Sequence, residues 1–571
     1  MFHDRFTLKP YPRLNIREKM HYPPSVKSAL FWLLAAILPA FQQPDHCAVV
    51  VGGAPSLPAK LMDGMGQSDF QITTSSPEAQ AFFNQGISQL YAFWSVEAER
   101  SFMQAAALDP EAGMAYWGIA ISAAGDFLPA YQTVPNTPVP LVPVPGSAYS
   151  RAGDAIMKAR ELKPKLTERE RLYIDAIAAR DNPRARRPDD DYITAMRKIV
   201  SAFPDDSNAK AILALALDRG FDSSTRKPRP GTEESIGLLN SILAEHPKHV
   251  GALHFLIHAL EDSGHGQDAW PAAEKYPLLV PAIPHVLHMP GHVYVQTGRF
   301  EDAIHSFENA GAKERAYMEA DPLYPHGHYL HNQQFLIYAL DAAGRFRAAV
   351  EESRKLMSVP ENPDETSAPD FFSSYRIGWF SLMRTLVRFE KWDLILDGKT
   401  LPAYNKPREQ VWYHWAQGIA DSARGNRDDA RESLRKMEIA LGQFKTIVDP
   451  VPRQFYVARM ELEAVIDNDA AALQQAASEQ QDMLYSEPPV YPRPVLENLG
   501  RLFLGARLFG DAEIAYRKLL DREPGSGRAL LGLYRALAGL GRDSEAAAVL
   551  QDFQKAWATA DPELRDITRQ N

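Results

Sequence analysis

The feature that most constrains the fold of this chain is a repeat of 34 residues. Small residues and larger apolar residues both follow this spacing in the middle of the sequence: Ser235, Ala269 and Ala303 form one series, and Leu239, Ala273 and Phe307 form the other. Near the carboxyl end, Ala512, Tyr516 and Leu519 recur 34 residues later as Ala546, Leu550 and Phe553. Several matches at one fixed period rarely arise by chance, so the chain is built from copies of one structural unit.

A unit of 34 residues has the length of the tetratricopeptide repeat. In this helix–turn–helix, small residues let two helices approach each other and an aromatic residue fills the space between them. An amino-terminal copy follows the same pattern, with Phe82, Gly86, Ala98 and Phe102. Sequence signals for strands are almost absent. These observations predict an all-α fold, namely a right-handed α-solenoid of tetratricopeptide-like helix–turn–helix repeats.

The net charge and the cysteine count exclude several kinds of ligand. The chain has 571 residues and a formal net charge of −10, and an acidic protein is a poor general binder of polyanions, so nucleic acid is not an expected partner. Cys47 is the one cysteine, which excludes an intrachain disulfide and any metal site built from several thiolates. A metal ion would therefore have to be held by nitrogen and oxygen ligands.

The amino terminus carries a targeting signal. An apolar run at residues 29–41 follows Lys27; it is shorter than the roughly 20 residues that cross a bilayer, but it has the length of a signal-peptide core. We therefore expect an exported protein, periplasmic or secreted, with residues 1–60 as signal peptide and flexible linker and residues 61–571 as a single solenoid. Translation could start at Met1 or at Met20. No integral membrane span is expected in the mature chain.

Histidine is concentrated in the central repeats. Of the 16 histidines, twelve lie between His246 and His331, whereas an even distribution would place about two in a window of this size. Residues 246–345 are therefore the region in which the sequence predicts a special chemical role.

Repeat numbering places many of these histidines on one face of consecutive helices. If Ala269, Ala303 and Ala349 each occupy position 20 of a repeat, positions 2, 5, 9 and 12 form a stripe on the first helix of each repeat. In tetratricopeptide solenoids this face lines the concave groove. The stripe carries His254, His258 and Glu261 in one repeat, His285, His288 and His292 in the next, and His331, Gln334 and Tyr338 in the third.

The histidine stripe predicts a metal site. Neutral imidazole is a common ligand of zinc, copper and iron, and carboxylate often accompanies it. Neighbouring helices pack about 8 to 10 Å apart, so imidazoles of adjacent repeats can reach a shared ion. A divalent transition metal (zinc, iron or copper) is the predicted cofactor. The predicted ligands are His254, His258, Glu261, His285, His288, His292 and His331, with Gln334 and Tyr338 lining the groove.

Two alternatives to a metal site remain at this point. The stripe could form a polar groove that binds a peptide or small molecule through hydrogen bonds, or it could serve the structure alone. Within the stripe, Pro290 and Gly291 of the HMPGH motif predict a kink and a close approach beside the histidines.

Several segments resemble a bacterial family of tetratricopeptide-repeat proteins with histidine-rich central repeats: FNQGISQLYAF, AERSFMQAAALDPEAGMAYWGIA, LHFLIHALED, PHVLHMPGHVYVQTGRFEDAI, HNQQFLIYALDAAGR and YSEPPVYPRP. The resemblance covers about Ser76 to Asp561 and implies the solenoid fold, but it implies no activity. Gln334 departs from the family pattern HNxHF, so a ligand at that position would be weaker or absent here. The segment YSEPPVYPRP is interpreted as a rigid turn between repeats, with lining of the groove as the alternative.

The sequence contains no GxSxG, Walker-type loop or HExxH motif, and no GxGxxG in a strand–helix context, so a standard serine hydrolase, nucleoside-triphosphate enzyme or Rossmann dehydrogenase is not expected. The leading hypothesis is an exported binding protein whose groove holds a metal ion and a peptide, protein or small-molecule ligand. The alternative is a metal-dependent enzyme, a hydrolase or an oxidoreductase, that uses the same pocket.

Overall fold

The computed structural model describes residues 57–566 apart from 124–126, 133–145, 322–323, 325, 361–372, 447–450, 484 and 487. The expected signal peptide lies outside the described residues. Contacts divide the chain into Met1–Gln43 and Pro44–Asn571, and every described residue belongs to the second unit. Within the described ranges, no helix combines the length and the apolar character needed to cross a bilayer.

The described part of the chain is helical throughout, with one isolated β-bridge between Phe221 and Pro228 and no strand. The amino-terminal helices are α1 (Pro77–Tyr91), α2 (Ser95–Leu108), α3 (Gly113–Ala123), α4 (Ala148–Leu162), α5 (Glu168–Arg180), α6 (Pro188–Ala202), α7 (Ser207–Leu217) and α8 (Thr232–Glu245). The central helices are α9 (Val250–Ala259), α10 (Trp270–Leu279), α11 (Pro284–Gln296), α12 (Phe300–Ala320), α13 (Gly327–Ala342) and α14 (Phe346–Met357).

The carboxyl-terminal helices continue the same pattern. They are α15 (Ser374–Arg388), α16 (Trp392–Leu396), α17 (Pro407–Arg424), α18 (Arg427–Lys445), α19 (Arg453–Asp467), α20 (Ala470–Gln481), α21 (Val495–Gly505), α22 (Phe509–Arg522), α23 (Gly527–Gly539), α24 (Asp543–Ala556) and α25 (Pro562–Arg565). Consecutive helices pack against each other along the chain. The predicted all-α fold of tetratricopeptide-like helix pairs is confirmed.

Small and aromatic residues fit together in these pairs as the repeat pattern predicts. A Cβ atom on Gly86 would lie 2.6 Å from the ring of Phe102, and one on Gly291 would lie 2.3 Å from the ring of Phe307. Gly291 therefore serves the packing of α11 against α12. Helix α11 runs without interruption through Pro290, so the proline at which a kink is predicted lies inside the one continuous helix that carries three of the histidines.

Residues distant in sequence also reach the central repeats. Helix α1 packs against α9, which brings Tyr91 and Phe93 beside the histidines of α9. The carboxyl-terminal end also reaches the central repeats, since Trp557, which follows α24, donates from Nε1 to the carbonyl of Ala342 in α13 at 2.9 Å. Both the amino-terminal and the carboxyl-terminal helices therefore contact the central repeats.

Replacement of Gly291 by alanine tests the packing of α11 on α12. We expect Gly291→Ala to lower the free energy of unfolding by about 1 to 3 kcal/mol, because the added methyl group overlaps the ring of Phe307. Gly237→Ala is the control, since a Cβ there meets no atom within 4 Å, and it should raise stability by up to about 1 kcal/mol. Urea unfolding followed by circular dichroism measures both, and equal stability of Gly291→Ala and the wild type would contradict this packing.

Candidate metal centre

Three helices bring six histidines together at the centre of the molecule. Helix α9 supplies His254 and His258, α11 supplies His285, His288 and His292, and α13 supplies His331. They form a first triad of His254, His258 and His285 and a second triad of His288, His292 and His331. In each triad, one ring nitrogen from every residue lies within 4.8 Å of the other two, and within the described residues no fourth His, Cys, Asp or Glu joins either set.

The two triads follow one rule. Each contains a pair spaced by four residues on one helix, and a third histidine from position 2 of the next repeat. The triads adjoin each other, since the ring centroids of His258 and His292 are 5.8 Å apart and those of His285 and His288 are 5.5 Å apart. The phase of the repeat therefore predicted the convergence, although the structure divides the six rings into two sets.

Within each pair, the Nε2 atoms point at each other. The distance between the Nε2 atoms of His254 and His258 is 3.1 Å, and that between the Nε2 atoms of His288 and His292 is 2.8 Å. These rings are buried, with at most 1% of any of the four residues exposed. Such a contact is either a hydrogen bond or a repulsive contact between two lone pairs. Which of the two it is depends on where each ring carries its hydrogen, and the neighbours of the other ring nitrogen, Nδ1, determine this.

In one ring of each pair, Nδ1 faces an uncharged oxygen acceptor. The Nδ1 atom of His254 lies 2.5 Å from the backbone carbonyl oxygen of Tyr91, and Nδ1 of His288 lies 2.9 Å from Oδ1 of Asn332. The Asn332 amide donates from Nδ2 to the carbonyl of Phe307 at 2.8 Å, which orients Oδ1 towards His288. Both Nδ1 atoms must therefore carry hydrogen and donate it.

In the other ring of each pair, Nδ1 faces Glu261. Oε1 of this carboxylate lies 2.9 Å from Nδ1 of His258 and 3.0 Å from Nδ1 of His292, while Tyr131 donates its hydroxyl hydrogen to Oε2 at 2.7 Å. Burial opposes ionisation of Glu261, but the two adjacent imidazoles outweigh it and hold the pKa of the carboxyl well below its ordinary value. An anionic oxygen attracts an N–H group and repels a lone pair, so these Nδ1 atoms also carry hydrogen.

In the neutral state of the rings, each pair consequently has two Nε2 lone pairs directed at each other in a buried space. Such an arrangement is repulsive unless a proton or a metal ion lies between the nitrogens. Burial lowers the pKa of His254 and of His288 well below the ordinary value of 6.5, so a proton on either of these two rings is disfavoured. A metal ion ligated at 2.0 to 2.1 Å places its nitrogen ligands about 3.4 Å apart, so a small opening of each pair accommodates one, and the third histidine completes the set.

Aromatic residues cover both triads. The ring centroid of Phe93 lies 4.4, 5.3 and 5.9 Å from those of His254, His258 and His285. The ring of Phe335 covers the second triad in the same way, with the corresponding centroid distances 4.9, 4.5 and 4.8 Å. The sequence predicted an open groove at the histidine stripe, whereas the structure places the rings under an apolar cover, with only His331 half-buried.

A cavity of about 500 Å³ borders Phe335. Its lining includes Phe335 and Tyr338 of α13, and residues of the segment 485–494 and of the turn 521–528. The YSEPPVYPRP segment was interpreted as a turn, and the described residues of it also form a wall of this cavity. Gln296, at the end of the histidine helix α11, donates to the hydroxyl of Tyr485 at 3.1 Å and connects that wall to the helix that carries three of the histidines.

The other polar residues of the histidine-rich region lie in different places. Glu261 lies on the Nδ1 side of two rings and outside both triads. Tyr338 lines the cavity, whereas Gln334 lies outside its lining. His249 belongs to the histidine-rich window but caps α9, since its Nδ1 accepts a hydrogen bond from the backbone of Ala252.

Sequence reasoning missed the residues that hold the rings in place. Tyr91, Phe93 and Tyr131 come from distant repeats and follow no histidine pattern. Asn332 adjoins His331 in the HN motif, which is the one signal that could have identified it. His328, stacked on His285 with a centroid distance of 5.4 Å, falls outside the repeat positions that were considered.

Comparisons with known proteins add little beyond the helical-repeat fold. No protein-family model matches the chain, and no curated protein matches it. Similar solved structures include a human IFIT1 dimer with m7Gppp-AAAA, 14% identical over 86% of this chain and 92% of that chain, with a TM-score of 0.33. Another is the APC/C hetero-tetramer Cut9-Hcn1, 12% identical over 88% and 78%, with a TM-score of 0.30. At these values the similarity carries no inference about function.

Asp341, which lines the cavity, should make the stability of the protein depend on pH. Burial raises the pKa of its carboxyl from 3.8 to about 7, so between these values the folded protein holds a proton that the unfolded chain releases. Relative to Asp341→Asn, the wild type should therefore lose stability as pH rises from about 4 to 7, by up to about 1.4 kcal/mol per pH unit. Urea unfolding of the two proteins at several pH values measures this difference.

The variant Asp222→Asn is a control for which the change of stability with pH should have the opposite sign. Hydrogen bonds from Thr225 lower the pKa of Asp222 to about 2, so the wild type should lose stability relative to this variant as pH falls below about 4. A constant difference between the wild type and Asp341→Asn from pH 4 to 7 would show that Asp341 is ionised in the folded protein.

Proposed function

We propose that this protein binds two transition metal ions, one in each triad, through the Nε2 atoms of a histidine pair and one ring nitrogen of the third histidine. The observation that supports it is the pair of facing Nε2 lone pairs in each triad, with every Nδ1 of those pairs beside an oxygen acceptor. Ligating histidines usually donate their other N–H to a carbonyl or carboxylate, which fixes the tautomer and the ring orientation. The surroundings of His254, His258, His288 and His292 follow this pattern.

Glu261 acts in this proposal as a positioning residue shared by both ions. Its Oε1 atom meets one ring of each triad, and its negative charge offsets part of the positive charge brought by the metals. This role replaces the predicted role of Glu261 as a direct ligand. The hydroxyl of Tyr131 holds the other oxygen and so fixes the direction of the carboxylate.

The protein as a whole is proposed to be a binding protein with a ligand cavity beside the metal centre. Each of the four arginines in the cavity lining is paired with an acidic residue: Arg226 with Asp521, Arg388 with Glu523, Arg522 with Asp262 and Arg528 with Glu497. Because these charges are balanced, the cavity suits a small molecule or peptide segment without a large net charge. Residues 29–41 support export of the protein to the periplasm or the medium.

One observation favours a metal-dependent enzyme as the second candidate. His331 is the half-buried member of the second triad, and Phe335 contacts that triad and also lines the cavity. An ion held by three protein ligands keeps a position for water or substrate, as in catalytic zinc sites. Hydrolysis or oxidation of a compound bound in the cavity, lost in His331→Ala, would establish this function.

Metal analysis tests the proposal directly. Purified full-length protein, depleted of metal and then loaded, should retain about two equivalents of a transition metal after gel filtration, and removal of the metal should lower its thermal stability. His331→Ala and His254→Ala should each retain about one equivalent, because each removes a ligand of one triad. His305→Ala is the control, since the side chain of His305 is 72% exposed and lies outside both triads.

Two results would contradict the proposal. The first is retention of less than a tenth of an equivalent by the wild type with every metal tried. The second is equal retention in the wild type and the triad variants, which would place the metal elsewhere.

The variant Glu261→Gln distinguishes a positioning residue from a ligand. If Glu261 only orients His258 and His292, the variant should still bind two ions, with affinity weakened about 10- to 100-fold. Competition with a chromophoric chelator measures the affinity, and elemental analysis measures the number of ions. Loss of an entire equivalent at saturating metal would instead assign Glu261 to the coordination sphere.

A further inference from the structure

We infer that the first triad, His254, His258 and His285, selects copper in its monovalent state, Cu(I). This inference rests on the proposed function and names the ion for one of its two sites. It follows from three properties of the triad: the number of its ligands, the nature of its cover and the charge around it.

The triad offers three ligands, which favours an ion whose preferred coordination number is three. Zinc is almost always four-coordinate in proteins, with water in the fourth position where only three side chains bind. Cu(I) has a filled d shell and is stable with three nitrogen ligands in a trigonal arrangement, and imidazole is a good ligand for copper. Within the described residues, the first triad offers three ring nitrogens and no further His, Cys, Asp or Glu.

Aromatic rings cover the first triad. Phe93 lies against all three rings, and Tyr276 stacks on His254 with a centroid distance of 5.3 Å. The ring of Phe255 in turn packs on Phe93 at 5.9 Å. A water ligand on the Phe93 side would have to lose its other hydrogen bonds against this ring, so a fourth oxygen ligand is disfavoured there.

Charge also favours the monovalent ion. The anion against this triad is Glu261, which contacts His258 and is shared with His292 of the second triad. A Cu(I) ion brings one positive charge into this buried region, whereas a divalent ion brings two, and Glu261 is shared between the two triads. An uncompensated buried charge is strongly unfavourable because it loses its hydration.

The backbone conformation of Phe93 allows a test by substitution of this residue. Its backbone φ of 55° lies in the left-handed region, which histidine and asparagine enter more readily than most other residues. Replacement by histidine therefore puts a fourth imidazole over the triad without demanding a new backbone conformation. The variant Phe93→His should convert a three-coordinate site into a four-coordinate one.

The experiment uses the full-length variant His331→Ala as background, so that the first triad is the complete one. Under anaerobic conditions, the metal-free protein is titrated with Cu(I) against bathocuproine disulfonate, and separately with Zn(II) against a zinc chelator. We expect one tightly held Cu(I) ion, with an X-ray absorption spectrum of three nitrogen neighbours, that a tenfold excess of Zn(II) does not displace. Adding His285→Ala should weaken Cu(I) binding by roughly 100-fold or more, as loss of one of three ligands requires.

Adding Phe93→His to the same background should shift the preference towards Zn(II) by on the order of 10-fold or more, since zinc gains its fourth ligand. Phe93→Asn is the matched control, because it tolerates the same backbone and adds no ring nitrogen. Circular dichroism establishes that the variants fold. Displacement of Cu(I) by Zn(II) from the first triad, or a fourth ligand in the absorption spectrum, would overturn the inference.

The experiments distinguish a wrong assignment of copper from a wrong proposal of metal binding. Tight binding of Zn(II) in place of Cu(I) leaves the two-metal proposal intact and removes the assignment of copper. Failure of every metal to bind to the wild-type protein removes both.

Discussion

The repulsion between facing Nε2 lone pairs is the constraint on which the centre of this molecule depends. The Tyr91 carbonyl, the Asn332 amide and the Glu261 carboxylate require hydrogen on the Nδ1 atoms of four buried histidines. In a neutral ring this fixes the tautomer and leaves Nε2 without a hydrogen to offer its neighbour. Apolar residues could fill the same volume without this conflict, as Gly291 and Phe307 do nearby. The arrangement suits a cation, either a proton or a metal ion, between the two Nε2 atoms of each pair.

Much of the fold and part of the site could be predicted from the sequence because both follow the repeat. A period of 34 residues fixes which positions of a helix pair are buried, so the contact between Gly86 and Phe102 recurs between Gly291 and Phe307. The same period fixes the direction of the histidines. Positions 5 and 9 of one repeat meet position 2 of the next, which is why His254 and His258 meet His285, and His288 and His292 meet His331.

The remainder could not be predicted because it depends on contacts between distant segments. Tyr91 is 163 residues from His254, and Tyr131 is 130 residues from Glu261; neither belongs to a pattern that points to the histidines. Without these contacts, Glu261 looks like a ligand, since a carboxylate among imidazoles has the right chemistry. Its position on the Nδ1 side of two rings becomes visible only when three helices are placed together. The burial of the stripe also depends on Phe93, which no repeat rule places there.

The distribution of the triads over the helices would link metal binding to the cohesion of the central repeats. Helix α11 contributes to both triads, while α9 contributes to the first and α13 to the second, so two bound ions would join three successive repeats. Binding free energy at sites of this kind is also folding free energy. Phe335 rests on the rings of the second triad and forms part of the cavity wall, which also includes residues from the loop before α8, from α11 and from the carboxyl-terminal repeats. An ion that drew His331 towards His288 and His292 would therefore also act on this wall of the cavity.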